Sequence, residues 1–195
     1  MTNIFQQLEF EAFRAGIKPR TAESIKWFRK KAAAMRNIRS KELMNSDPLE
    51  LRNRQVIGSM FMYYYDPKTK DTLPYYDSFP LSIIVSKAAG GFYGLNLHYL
   101  PPTLRAKFLD GLMDITNNKS YDETTKFMAR YQTLQRISKL RYYRACFKHY
   151  LSKHVRSRFA YVPPPEWEIA TFLPTAQWAK TSQAEVYKDS RRMVA

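Results

Sequence analysis

The chain is poor in the residues on which most enzymatic reactions depend. It has one cysteine, Cys146, and three histidines, His98, His149 and His154, in 195 residues. A single cysteine excludes an intrachain disulfide and points to synthesis in a reducing compartment. Glycine is scarce too, at six. Gly90, Gly91 and Gly94 match neither GxGxxG nor GxxxxGK[ST], so no nucleotide-binding loop is written here and these glycines read as turn and close-packing residues. No apolar run approaches the roughly 20 residues that a spanning helix needs, and no secretory segment opens the chain. These absences predict a soluble protein without a membrane partner, made in the cytoplasm. Acidic residues are the last shortage, 17 against 32 Lys and Arg, for a net charge of +15. Such a surface keeps a protein soluble and attracts phosphates or acidic protein faces.

Apolar residues, by contrast, make up 45% of the chain and aromatics 15%, enough to fill a core. The charge is unevenly spread. Residues 1–55 hold twelve Lys/Arg against six Asp/Glu, residues 56–115 hold five against five, and residues 116–195 hold fifteen against six. A neutral centre, Gly58 to Pro102, therefore lies between two cationic flanks.

The pattern predicts an α+β fold. Residues 1–56 read as helical: Ile4, Phe5, Leu8 and Ala12 recur at helical spacing with Gly16 as a stop, and Thr21 caps a second helix with Glu23 in its first turn. Asp47 and Pro48 suggest a further helical start running through Leu49, Leu51 and Arg54. Residues 57–102 read as a β-rich core, a small antiparallel sheet or partly closed barrel. In it Met60 to Tyr65 form one strand, and Leu81–Val85 and Phe92–Leu97 form a hairpin about Gly90-Gly91. Residues 103–160 read as helical, with Leu134, Ile137, Leu140, Tyr143, Phe147, Leu151 and Val155 predicting one long basic helix over about 121–159. Pro163, Pro164 and Pro165 then introduce residues 161–195 as an extended arm with aromatic anchors. The four regions are expected to make one folded domain.

Chemistry is sparsely supported. Cys146 and His149 stand three apart on the predicted helix, but a metal site needs a second ligand cluster that the sequence lacks, so Cys146 reads as a small packed residue. Asp66, Asp71 and Asp77 resemble a set of nuclease carboxylates, yet their neighbours Pro67, Lys70 and Ser78 give them turn roles. No catalytic residue, metal or cofactor is assigned, and an enzyme is not expected. Two kinds of binding residue remain. Lys26, Arg29, Lys30, Arg141, Arg144 and Lys148 can neutralise phosphates along a nucleic-acid backbone, with strong salt dependence. Trp167, Phe172 and Trp178 can fill pockets of a partner.

The phrases Phe10-Glu11-Ala12-Phe13-Arg14-Ala15-Gly16, Arg20-Thr21, Trp27-Phe28-Arg29, MFMYYYDPKTKDTLPYYDSFPL and GGFYGLNLHYLPPTLRAKFLD resemble virion proteins of T4-like contractile-tailed bacteriophages across residues 5–115. The resemblance implies a structural part of head, neck or baseplate, or a small basic protein that touches packaged DNA or guards its ends. The leading expectation is a non-enzymatic structural component of the virion, in an oligomeric or heteromeric assembly with other virion proteins. Its rival is a DNA-binding protein that protects DNA termini or binds without sequence preference.

Overall fold

The computed structural model of the chain describes residues 4–35, 40–45 and 49–193. In chain order these form α1 (Ile4–Arg14), α2 (Ala22–Ala34), α3 (Ser40–Met44), β1 (Leu51–Arg52), β2 (Met60–Met62), β3 (Tyr76–Asp77), β4 (Leu81–Ala88), β5 (Gly91–Asn96), α4 (Pro102–Thr116), α5 (Glu123–Lys139), β6 (Phe147–Leu151), β7 (Phe159–Val162), α6 (Trp167–Phe172), β8 (Trp178–Ala179) and α7 (Gln183–Arg192). The α+β class is as expected. So are the first helices: Gly16 follows α1 with φ +69°, a conformation glycine adopts without strain. Thr21 caps α2 in a reciprocal capping box with Ser24.

Six strands make an open antiparallel sheet in the order β1-β7-β2-β4-β5-β6, and β3 and β8 pair separately. The expected hairpin is β4-β5, with its turn at Ala89-Gly90 and Gly91 already in β5, opposite Ala88. One face of the sheet packs against helices through Met60, Met62, Ile83, Leu95 and Val162, which meet Phe5, Leu8, Phe108, Leu134 and Trp167. The other face carries an aromatic cluster built from Phe61, Tyr63, Tyr65, Phe92, Tyr150 and Phe159. Tyr63 lies at its centre, with the rings of Phe92, Tyr150 and Phe159 between 5.0 and 5.8 Å away. Edge-on contacts of this kind add about 0.5–1.5 kcal/mol each beyond area burial.

Three expectations require correction. The long basic helix ends at Lys139, because Leu140 adopts extended backbone, φ −73° and ψ 133°. Residues 147–151 and 159–162 join the sheet instead, Gly94 pairing with Lys148 and Phe61 with Tyr161. The pairing of free strand edges outweighs the helical spacing of Phe147, Leu151 and Val155. The C-terminal segment is likewise no extended arm: after a 3-10 turn at Pro164–Glu166, α6 buries Trp167, Ile169 and Ala170 against α1, α2 and α4. Lastly, Asp47 and Pro48 lie outside the described residues, and Leu49 to Arg54 form no helix: Leu51 and Arg52 make the short strand β1, with Leu51 opposite Ala160. Among the described residues no helix is long and apolar enough to cross a membrane.

Candidate nucleic-acid interface

Lys26, Arg29 and Lys30 stand at i, i+3 and i+4 on α2, so helical geometry alone brings them to one face. All three are exposed. The opposite face is fixed by burial of Ser24, Phe28 and Ala32, and Ser24 Oγ donates to Glu168 Oε1 at 2.6 Å, tying α2 to α6. Arg141 and Arg144 are also exposed, on the turn that follows α5, where with Ser138 and Lys139 they frame a recess of about 410 Å³. That lining carries three cations and no acid.

Several other surface cations are already paired. Arg20 pairs with Asp114, Lys31 with Glu11, Arg52 with Glu50, and Lys70 and Arg156 share Asp66. Lys70, the strongest influence, and Arg156 hold the Asp66 carboxyl below its usual range. Among the described residues Lys26, Arg29, Lys30, Arg141 and Arg144 make no ion pair. They are free to meet phosphates. The packing of α2 on α6, α6 on α4 and α4 on α5 places two helices between the α2 cluster and the recess after α5.

Lys148 does not continue either cluster. It lies half-buried on β6, with Nζ 4.0 Å from the centre of the Tyr99 ring, and burial lowers its pKa. The separation follows from the loss of the long helix: in a strand, residue 148 keeps no helical register with 141 and 144. His149 is exposed on the same strand while Cys146 is fully buried, its thiol donating to Tyr143 O and pushed by burial up to about 12. The two share no helix face, and among the described residues no group of three or more His, Cys, Asp or Glu is placed to hold a metal.

The aromatic residues expected to anchor a partner are used internally. Trp167 is 1% exposed and its indole donates to Val162 O at 2.8 Å, so the pocket it fills belongs to its own chain. Phe172 is half-buried at the end of α6. Trp178 packs edge-on against Tyr99 at 4.7 Å and donates to Gln183 Oε1.

Asp77 has the turn role expected from sequence, accepting from the backbone N–H of Phe79, but it does more. The carboxylate also accepts from Gln177 N, Asn96 Nδ2 and His98 Nδ1, the last at 2.6 Å, and His98 Nε2 lies 3.1 Å from Thr175 Oγ1. Asp77, Asn96, His98 and Thr175 are each at most 3% exposed. An aspartate, a histidine and a hydroxyl in line suggest a nucleophile's relay, yet no solvent reaches the hydroxyl, and the carboxylate is saturated by four donors. The network joins the β centre to the C-terminal segment.

Beside it is a recess of about 310 Å³ that sequence reasoning misses, walled by Tyr65, Tyr75, Tyr76 and Tyr99 with Lys148 inside and Lys68 at its rim. Its residues span 65 to 151, so no local spacing announces it. The one signal in the sequence is the run of tyrosines in the neutral block.

An α+β protein whose unpaired cations form exposed clusters, and which places tyrosines about a recess, has the make-up of a protein that binds nucleic acid through its phosphates. The chain belongs to the family described as phage T4 terminal DNA protecting protein, whose model matches residues 3–193. No curated protein and no solved structure matches it. The resemblance to T4-like phage proteins therefore holds, but the expectation of a structural head, neck or baseplate component does not. A family described by protection of DNA ends overturns it and agrees with the rival expectation.

Proposed function

We propose that this protein binds the ends of phage DNA and shields them, by phosphate contacts and without catalysing a reaction. The observation that carries the reading is the family match over nearly the whole chain. The unpaired cations of α2 and of the turn after α5 support it, since each phosphate neutralised releases counterions and contributes affinity without regard to sequence. Sequence-independent contact is what a guard of DNA ends requires. In this reading Asp66 and Asp77 hold ion pairs and buried hydrogen bonds and do no hydrolysis. Its place of action is the phage particle or the host cytoplasm during infection.

The test is an exonuclease challenge of a linear duplex labelled at both ends, with and without the protein, together with a salt series of affinity. Protection of the label, intact recovered DNA and a steep negative slope of log affinity against log salt are expected. Degradation at the unprotected rate, or cleavage by the protein itself, refutes the proposal. Mass spectrometry of separated heads and tails from purified virions tests residence in the particle.

A further inference from the structure

The tyrosine-walled recess lies on the aromatic face of the sheet, beside β5 and β6 and under the loop that joins β2 to β3. Lys148 sits in it with no hydrogen bond and no ion pair among the described residues, and its ammonium lies over the face of Tyr99. The one carboxylate in the wall, Asp77, makes no ion pair with it, its oxygens accepting instead from Phe79 N, Gln177 N, Asn96 Nδ2 and His98 Nδ1. A partly desolvated ammonium with no ion-pair partner is unfavourable until a ligand supplies one. Five tyrosines share the rest of the wall with Pro67, Leu73, His149 and a few other side chains, and aromatic rings accept any base by stacking.

We propose that this recess receives the terminal nucleotide of a DNA strand, its base against the tyrosines and its phosphate at Lys148. The inference rests on the DNA-end reading and gives it a mechanism for telling an end from the middle of a duplex. A cavity of about 310 Å³ has room for one nucleotide, not for paired strands. A nucleotide at an end gives up stacking on one side only, whereas one inside a duplex gives it up on both, so end selection follows from the cost of unstacking. Lys68 at the rim is exposed and makes no ion pair among the described residues. The segment carrying exposed Lys153 runs alongside, since Asp66 N donates to His154 O. Both are placed to meet the phosphates that follow the terminal one. Lys180 holds the loop above the recess by donating to the carbonyls of Lys70, Asp71 and Leu73, so the mouth is set before DNA arrives.

The experiment uses the full chain and a duplex with 2-aminopurine at its terminal or at a central position. It also compares affinity for the linear duplex with that for a covalently closed circle of the same sequence. A change in emission from the terminal probe alone is expected with the unsubstituted protein. Lys148→Met, which keeps the stem and removes the charge, is expected to cut the preference for linear over circular DNA about tenfold, the value of one charge-assisted contact. Tyr75→Leu is expected to weaken the terminal emission change. If the protein favours linear DNA and resists exonuclease, yet both probes respond alike and Lys148→Met keeps the full preference, the recess is refuted and the DNA-end reading stands. If it neither favours linear DNA nor protects ends, both fall. Should Lys148→Met fail to fold, the aminopurine comparison in the unsubstituted protein decides alone.

Discussion

Replacing Asp77 by alanine should destabilise the fold far more than an ordinary surface substitution. The carboxylate accepts from four donors, and three of them, Phe79 N, Asn96 Nδ2 and His98 Nδ1, belong to residues with no exposed surface, whereas Gln177 is half-buried and can turn to water. A buried donor left without a partner costs about 1–3 kcal/mol. Three give about 3–9 kcal/mol, and a water entering the vacated volume recovers part of this, so the lower half, about 3–6 kcal/mol, is expected. That is a large share of the roughly 5–15 kcal/mol by which a domain is stable. Asp77→Asn should cost less, about 1–3 kcal/mol, because one oxygen still accepts from Phe79 N and Gln177 N. Its amide would face Asn96 Nδ2, and Asn96 cannot flip without surrendering the bond its Oδ1 accepts from His98 N. Urea unfolding followed by tryptophan fluorescence measures both variants. A loss below about 1 kcal/mol for Asp77→Ala, or a larger loss for Asn than for Ala, would refute the reasoning. The same ordering separates a structural aspartate from a catalytic one, since it appears in the unfolding midpoint with no DNA present.

Three further outcomes are expected. Gly91→Ala should abolish the β5-β6 pairing at its end, because an added Cβ would overlap Tyr150 O, backbone that cannot move aside; amide exchange in residues 147–151 will report it, and an unchanged pattern counts against the register. Burial first, and Glu9 second, push the Glu166 carboxyl up to about 6 from its ordinary 4.5, so the folded state holds this proton more tightly and stability falls as pH rises through that window. Glu166→Gln should remove that fall, a gain of less than about 1 kcal/mol above pH 6 because the group is half-exposed, and parallel stability–pH curves would disprove it. Arg141→Gln with Arg144→Gln should lower the salt slope of DNA affinity by up to about 1.8, near 0.9 for each phosphate left without its cation, and no change in slope would remove the recess after α5 from the interface.

How much is legible in the sequence depends on the range of the interactions concerned. Thr21, Ser24 and the apolar spacing of α1 and α2 act within a few residues, and their helices are where the pattern puts them. The β4-β5 hairpin is equally local, its two-residue turn made possible by Gly90 at positive φ. The segment from Phe147 to Val162 misleads because the apolar spacing of Phe147, Leu151 and Val155 suits a helix, and only the open edges of β5 and β2, distant in sequence, make strands of it. The same spacing falsely merges Lys148 with Arg141 and Arg144. Trp167 has the look of an anchor for a partner because three prolines suggest extension, whereas its apolar surface is worth more against the chain's own core.

Composition alone determined that this is a strongly cationic protein with an aromatic, neutral centre and few of the groups that catalysis needs, because charge and residue type need no coordinates. Exposure of the α2 cations followed from helical periodicity. What only the tertiary structure decided is which charges are free and which are already paired, and that Asp77 and His98 are buried ties. It also decided that Lys148 faces a tyrosine-walled recess assembled from residues 65 to 151. Ion pairing and burial depend on contacts between residues far apart in the chain, and sequence spacing does not encode those distances.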